Sequence, residues 1–271
     1  MRDRLWIIGI VSFVLALAAI VTALYGLGFA DRTLFEWMDI LIVPIAVGIG
    51  LYELEQSQRR REQRREQNEQ RRREEEQERA EALQSYFDQM NQMLLDNDVP
   101  LSSGPKGDAV RELVRGRTLS ILSVLDPVRK GLVVKFLYES GLITADYTVV
   151  SLERADLNEA FLRNQSFPNI NLVGTQLRGA NLAGANLRAA RFDRAALYEA
   201  NLSFAFLGDA YLRQANLSGA DLTGAEGITA EELEQQALSL AGAIMPDGQL
   251  YEDWRRDKEG SGNDVELHEG A

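Results

Sequence analysis

A large apolar residue recurs at every fifth position through the middle of this 271-residue chain, and this period constrains the fold more than any other feature. The positions are Leu152, Leu157, Leu162, Phe167, Leu172, Leu177, Leu182, Leu187, Phe192, Leu197, Leu202, Leu207, Leu212, Leu217 and Leu222. Alanine stands two residues before most of them. A period of five fits neither an α-helix, at 3.6 residues per turn, nor a β-strand, at two. It predicts a backbone that turns a corner in every unit, so that each large side chain returns to one axis.

The five-residue units resemble those of a known family. The segments Ala180–Gly184 (ANLAG) and Ala220–Gly224 (ADLTG) resemble the A(D/N)Lxx unit of pentapeptide-repeat proteins. The resemblance covers about residues 150–227, and a last coil is predicted near Leu240 and Met245. It implies a right-handed quadrilateral β-helix, a solenoid with four units in each coil.

The alternation of small and large side chains predicts a filled interior. If alanine and leucine both point inward, identical side chains stack from coil to coil and leave no room for a ligand. Two polar or flexible residue types suit the corners of the coils, because they tolerate tight turns and a positive φ. They are Asn171, Asn181, Asn186, Asn201, Asn216 and Asp221, together with Gly174, Gly179, Gly184, Gly219 and Gly224.

The residue inventory excludes several kinds of active site. The chain has no cysteine and its one histidine is His268, so it has neither a thiolate nucleophile, nor a His-dependent triad, nor a multi-histidine metal site. It also lacks a Gly-rich phosphate loop of the Walker or dinucleotide type. We therefore expect no catalysis and no cofactor. Net charge is −12, but residues 151–226 carry 7 basic and 8 acidic groups, so the repeats are nearly neutral.

Residues 1–54 are predicted to be a membrane anchor. The run 5–30 contains no charged residue and is long enough to span a bilayer. The alternative is a signal peptide, since Arg2 and Arg4 precede the run and Gly28-Phe29-Ala30 resembles a cleavage site. A second, weaker span is predicted over 34–54, the alternative being an amphipathic segment that lies on the membrane surface.

The arginines predict the orientation of this transmembrane hairpin. Basic residues flank its two ends, and the positive-inside rule then places both ends in the cytoplasm, with the protein in the inner membrane. Residues 55–80 follow as a charged helical stalk; between Gln56 and Arg79 there is no apolar residue. The stalk arginines nearest the membrane are candidate contacts for lipid headgroups. They are Arg59, Arg60, Arg61, Arg64 and Arg65.

Helices are predicted on both sides of the repeats. Residues 81–149 show helical apolar spacing and are expected to cap the first coil; residues 115–143 are similar to the segment before the repeats in bacterial membrane-anchored members of the family. The β-helix is assigned to 150–250, with a short helical insertion near 228–236. The acidic tail, 251–271, is predicted to be disordered.

The exterior of the repeats holds the candidate functional residues. Exposed aromatic and arginine side chains on a rigid surface are typical of protein-interaction hot spots. The candidates are Phe161, Phe204, Phe206, Tyr211, Arg191, Arg194 and Arg213. The alternative is that Phe204 and Phe206 fold into a corner or lie under the inserted helix.

These features predict a membrane-tethered scaffold that binds an unknown protein partner or a second copy of itself. Two alternatives remain open. One is a DNA-mimicking regulator of a nucleic-acid enzyme, as in some relatives of the family. Mimicry of DNA needs a strongly negative surface, so the neutral repeats make nucleic-acid-related roles the weaker hypothesis. The other is a purely structural self-assembly module.

Overall fold

The computed structural model describes residues 34–95 and 105–265, together with the helical residues Ala16, Ala19, Thr22 and Ala23. The helices with defined bounds are α1 (Leu34–Leu95), α2 (Pro105–Val124), α3 (Pro127–Glu139), α4 (Ala230–Gln236) and α5 (Tyr251–Val265). The chain forms two compact units, Met1–Arg73 and Glu74–Ala271.

In the first unit, α1 runs without interruption through the residues assigned to a second span and to the stalk. Its side chains from Arg59 to Arg73 are exposed, as expected for a stretch with no apolar residue. Within the described part of the chain, no helix is both long and apolar enough to cross a membrane. Helix α1 continues through both segments, so residue 54 is not the end of a separate helix. The predicted span over 5–30 lies outside the described residues, apart from its four helical positions.

The second unit is built around a solenoid with twenty residues in each coil. In each five-residue unit, the residue before the inward leucine or phenylalanine forms a parallel β-bridge with the residue twenty positions later. These bridges run from Asp156–Gln176 to Phe206–Glu226. Coils are joined by backbone bonds such as Leu157 N–H to Gln176 O, 2.8 Å, and Gln176 N–H to Ala155 O, 3.0 Å. Four five-residue units therefore make one coil, as the resemblance implied.

The coils present four faces, each defined by its inward leucine or phenylalanine. Face 1 contains Leu152, Leu172, Phe192 and Leu212; face 2 contains Leu157, Leu177, Leu197 and Leu217; face 3 contains Leu162, Leu182, Leu202 and Leu222; face 4 contains Phe167, Leu187 and Leu207. These residues are at most 2% exposed, and the alanines two positions earlier are buried with them. The predicted filled interior is confirmed.

Corners are formed by two residues of each unit with separate roles. The residue two positions after the inward leucine has a left-handed backbone, at φ +55° to +68° in all fifteen units from Arg154 to Gly224. The predicted corner glycines occupy this position. The corner asparagines do not: each precedes the inward leucine, and its side-chain oxygen accepts the backbone N–H two residues later at 3.0–3.4 Å. The expectation of a positive φ at these asparagines was wrong, because they close the turn with the side chain instead.

Helices α2 and α3 contact the first coil, and α1 packs against both helices. Tyr86 of α1 is buried and shares a 2.9 Å hydrogen bond with the Thr118 hydroxyl of α2, and burial raises the pKa of Tyr86 to about 12. Helix α3 begins with Asp126 as its N-cap and Pro127 in its first turn, as predicted. Its Pro127 carbonyl accepts the Phe161 N–H at 2.9 Å. A Cβ on Gly131 would lie 2.2 Å from the Phe161 oxygen, so only glycine permits this approach.

At the other end, the predicted insertion and last coil are both present. Helix α4 occupies Ala230–Gln236 and has a complete capping box from Thr229 and Glu232. It lengthens the coil by three residues, so that Asn216 and Asp221 pair with Ser239 and Ile244, twenty-three positions later.

Helix α5 overturns the predicted disorder of the tail. Residues Tyr251–Val265 are helical, and Tyr251 and Trp254 pack against the core. The Glu252 carboxylate accepts the Gly242 N–H at 2.7 Å, and this bond lowers the pKa of Glu252. Lys258 pairs with Glu234 of α4 at 2.7 Å. The composition of the tail predicted disorder because composition contains no information about these few tertiary contacts. Residues 266–271 lie outside the described part of the chain.

Candidate functional site

Three of the predicted interaction residues meet in one groove on face 1. Arg191, Tyr211 and Arg213 line a groove of about 480 Å³. Its opposite wall comes from Asp146 and Asn169, whose side chains are hydrogen-bonded to each other. Arg191 and Tyr211 occupy bridge positions on successive coils, so the backbone ladder fixes the height of one above the other. The solenoid thereby brings together side chains that are twenty residues apart in sequence.

The charges in this groove are balanced. The Arg191 Nε lies 3.5 Å from Asp193 Oδ2, and the Arg213 guanidinium lies over the Tyr211 ring, 5.8 Å from its centroid. The buried Asp193 Oδ2 has no hydrogen-bond donor among the described residues. Two arginines and two aspartates thus share the groove. Arg194, the fourth predicted residue of this face, does not line the groove; it is exposed at a left-handed corner with φ +58°.

Face 3 carries a second groove. Its volume is about 240 Å³, and its lining includes Phe204, Asn181 and Asn201. Phe204 is 64% exposed, so it neither folds into the corner nor lies under the inserted helix. Phe161, 48% exposed, belongs to the same bridge ladder as Asn181 but does not line the groove.

Phe206 lies apart from both grooves. It occupies a bridge position on face 4, between Asn186 and Glu226, and its side chain is half-buried. The Arg188 guanidinium covers its ring, at 5.7 Å from the centroid. A cation over an aromatic ring is a favourable local arrangement. Phe206 is therefore already partnered within its own face.

The stalk arginines lie on the exposed surface of α1. Arg59 pairs with Glu55 at 2.6 Å and Arg60 donates to Gln56 at 3.3 Å, both one helical turn away. Arg60, Arg61 and Arg64 line a shallow groove of about 210 Å³. The contacts within α1 orient these side chains along the helix, and exposed pairs of this kind contribute little to stability.

The basic residues of the cap have structural partners. Arg115 donates to the Glu153 carbonyl oxygen at 3.1 Å, and Arg129 pairs with Asp126 at 2.5 Å. Lys130 is buried, and its Nζ lies 3.1 Å from Asp156 Oδ1 and 3.2 Å from the backbone carbonyl oxygen of Asn158. Arg115 and Lys130 join the cap to the first coil, and Arg129 pairs with the N-cap of its own helix; these contacts explain the three cations without a phosphate ligand.

One functional feature was not predicted from the sequence. The asparagines of face 3 form a row, because the bridges set Asn181 directly beneath Asn201. The signal was present in the chain as asparagine before the inward leucine at Asn181 and, four units later, at Asn201. Without the twenty-residue coil, however, nothing indicated that these two amides share a face. Elsewhere in the described residues, no group of acidic or histidine side chains is arranged to hold a metal ion.

The comparison with protein families identifies the repeats. The pentapeptide repeats model matches in eight copies, over residues 155–194, 170–203 and 195–226. No curated protein matches the chain.

Solved structures of the same family are also similar to the chain. A pentapeptide-repeat protein from the Arabidopsis thaliana thylakoid lumen is 28% identical over 36% of this chain and 56% of its own, with a TM-score of 0.20. Rfr23 from the cyanobacterium Cyanothece 51142 is 36% identical over 32% and 47%, with a TM-score of 0.15. HetL from Nostoc sp. strain PCC 7120, a protein involved in heterocyst differentiation regulation, is 29% identical over 35% and 52%, with a TM-score of 0.14.

The chain spans about half of the length of these solved proteins. With TM-scores this low, the assignment rests on the family model and on the twenty-residue coil. The family fold, a right-handed β-helix, accounts for the bridges, the inward ladder and the left-handed corners. Residues 155–226 therefore belong to the pentapeptide-repeat family.

Proposed function

We propose that this protein is a membrane-tethered scaffold whose solenoid presents a rigid, non-catalytic surface to another protein in the cytoplasm. The observation that carries the proposal is the contrast between a completely filled interior and the grooves on faces 1 and 3. Because the interior has no space for a ligand, recognition has to take place on the exterior. Exposed aromatic and arginine side chains on a rigid support bind partners with little loss of side-chain entropy.

Four exposed or half-buried aromatic residues allow each face to be tested in the same way. Tyr211, Tyr198, Phe204 and Phe206 lie on faces 1, 2, 3 and 4. Each is replaced in turn with the photocrosslinker benzoylphenylalanine in the full-length chain, so that one aromatic side chain substitutes for another. We expect a discrete crosslinked protein from position 211 or 204, and none from position 198. If no position yields a product above the unirradiated control, the scaffold proposal is wrong.

The membrane part of the proposal rests on the sequence. The uncharged run over 5–30 is the anchor, the 34–54 segment returns the chain to the cytoplasm, and Arg59 to Arg65 lie against anionic headgroups. Since the chain has no cysteine, single cysteines report sidedness without background. In intact cells a membrane-impermeant maleimide should label Thr33→Cys, whereas Ser57→Cys and Ser151→Cys should react only after permeabilisation. Labelling of all three in intact cells, or release of the protein by carbonate, would contradict this topology.

A second copy of the chain is the alternative partner. Both ends of the solenoid are covered, the first by α3 and the last by α5, so self-association has to use a lateral face. Light scattering of the full-length protein distinguishes this assembly from a monomer. The repeats are nearly neutral, so they lack the strong negative charge that mimicry of DNA requires.

A further inference from the structure

Face 3 has a chemistry that the other faces lack. Its groove contains one charged side chain, Arg163, and the carboxamides of Asn164, Asn181 and Asn201. Phe204 closes one side of it. By contrast, the groove of face 1 holds four charged side chains, and face 2 holds the Arg178–Glu199 ion pair at 3.1 Å.

The two stacked asparagines of this groove present hydrogen-bond donors. Asn181 Oδ1 accepts the Ala183 N–H at 3.2 Å, and Asn201 Oδ1 accepts the N–H and hydroxyl of Ser203 at 3.0 and 2.6 Å. Their Nδ2 amino groups have no acceptor among the described residues of the chain. Neighbouring coils are about 4.8 Å apart, so the two amino groups form a short row. The turn bonds keep both amides oriented without any ligand.

Phe204 is not explained by stability. It has φ +57°, in a position where glycine stands in five of the fifteen units, and a bulky residue there is strained. Its ring covers Gly224, where a Cβ would lie 2.6 Å from two ring carbons, yet 64% of the residue remains exposed. Other non-glycine residues share this backbone conformation, so the distinguishing feature of Phe204 is an exposed aromatic ring beside a groove, which is typical of a binding surface.

The balance of donors and acceptors discriminates among occupants. If a second copy docked through the same face, hydrogen-bond donors would meet donors and Arg163 would meet another arginine. An isologous interface has to be self-complementary, so this face does not suit one. A neutral saccharide would leave the Arg163 guanidinium without an opposite charge. Nucleic acid requires more cations than one arginine. The matching occupant has several acceptors and an apolar group.

We propose that face 3 binds an extended peptide segment of a partner protein, in which an apolar side chain lies next to a carboxylate. The apolar side chain packs on Phe204, main-chain carbonyl oxygens accept from Asn181 and Asn201, and the carboxylate pairs with Arg163. This inference rests on the proposed scaffold function and specifies the kind of partner that face 3 recognises.

The test uses the full-length protein in detergent micelles and a phage-displayed random-peptide library. Selected peptides are then synthesised, and their Kd is measured by fluorescence anisotropy. We expect the selected sequences to pair an aromatic or aliphatic residue with Asp or Glu. Phe204→Gly should raise Kd about tenfold or more, because it removes the anchor. Its melting temperature should be unchanged or higher, since glycine accepts a positive φ freely.

Asn201→Asp is a matched second variant. It keeps the Oδ1 acceptor of the turn and removes the amino donor; the chain already shows that this exchange is tolerated, because Asp221 Oδ1 accepts the Thr223 N–H at 3.0 Å one coil further on. We expect Kd to rise at least tenfold, since the new carboxylate also repels the acidic peptide. Tyr198→Ser, on face 2, is the control and should leave Kd unchanged; serine already occupies the same position one coil further on, at Ser218.

Several results would overturn the inference. They are failure to enrich any sequence, enrichment of basic peptides, and affinities that Phe204→Gly and Asn201→Asp leave unchanged. Photocrosslinks from position 211 with none from position 204 would retain the scaffold function and remove face 3 as its site. The absence of crosslinks from every face would instead remove the scaffold function itself.

Discussion

Phe192 and Phe204 belong to the same repeats but have opposite environments. Phe192 points inward on face 1 and is fully buried, whereas Phe204 projects from a left-handed corner of face 3 and is 64% exposed. The difference is set by position within the five-residue unit. Inward positions are restricted by the coils above and below, and outward positions are restricted only by the turn. Stability should therefore depend on the interior ladder, and recognition on the exterior.

The sharpest test of this comparison is to truncate both phenylalanines. Phe192→Ala leaves a cavity between coils that cannot collapse, so we expect a loss of about 3–5 kcal/mol in the free energy of unfolding. Phe204→Ala keeps the same turn and removes a mostly exposed ring, so we expect a change within about 0.5 kcal/mol. Urea denaturation followed by circular dichroism measures both values. Equal effects from the two substitutions would show that the division between interior and exterior is wrong.

A smaller effect is expected where two coils touch through their backbones. Gly227 has φ +82°, and a Cβ there would lie 2.6 Å from Gly208 N and 2.7 Å from Gly208 Cα. Since backbone atoms cannot move aside, Gly227→Ala should cost about 2 kcal/mol or more. Gly141→Ala is the control, because it shares a positive φ but has open space around the added methyl group. If thermal denaturation gives the same loss for both, conformation rather than close approach restricts Gly227.

The smallest expected effect is local and depends on pH. The Gly242 N–H lowers the pKa of Glu252, and Lys258 lowers the pKa of Glu234. Because both folded-state pKa values are below the ordinary 4.5, the contacts contribute stability above that pH and lose it as pH falls through the folded values. Helix α5 should therefore loosen as the pH falls below 4.5, before the interior coils do.

Hydrogen exchange measures this loosening. Protection of residues 251–258, corrected for intrinsic rates, should fall as the pH is lowered from neutral to well below 4.5, while protection of residues 192–202 should be retained. Glu252→Gln should lower protection of α5 already at neutral pH and weaken its pH dependence. Uniform loss of protection along the chain would indicate global unfolding instead.

Features of the fold that depend on local sequence patterns were predictable. The filled interior, the capping helix after Asp126 and the insertion at Ala230–Gln236 all follow from local patterns of apolar, capping and turn residues. The helical tail was missed because its order comes from a few tertiary contacts, such as Glu252 with Gly242. Average composition contains no information about such contacts.

The candidate surfaces were predicted less completely than the fold. Arg191, Tyr211 and Arg213 were expected on one face and share a groove. Phe206 was expected just round the corner from Phe204, and it lies on the neighbouring face under Arg188. A difference of two residues crosses a corner, so small errors in register place a side chain on another face.

The sequence by itself determined the five-residue period and a turn in every unit, because each large apolar side chain has to return to a common axis to be buried; the four units of each coil were implied by the family resemblance. It also determined which corners turn easily, through glycine and through asparagine side chains that close the turns. Only the tertiary structure decided which outward side chains become neighbours and which ends are covered. Those contacts join residues twenty or more positions apart, and the bridges between coils, rather than any local preference, set their distances.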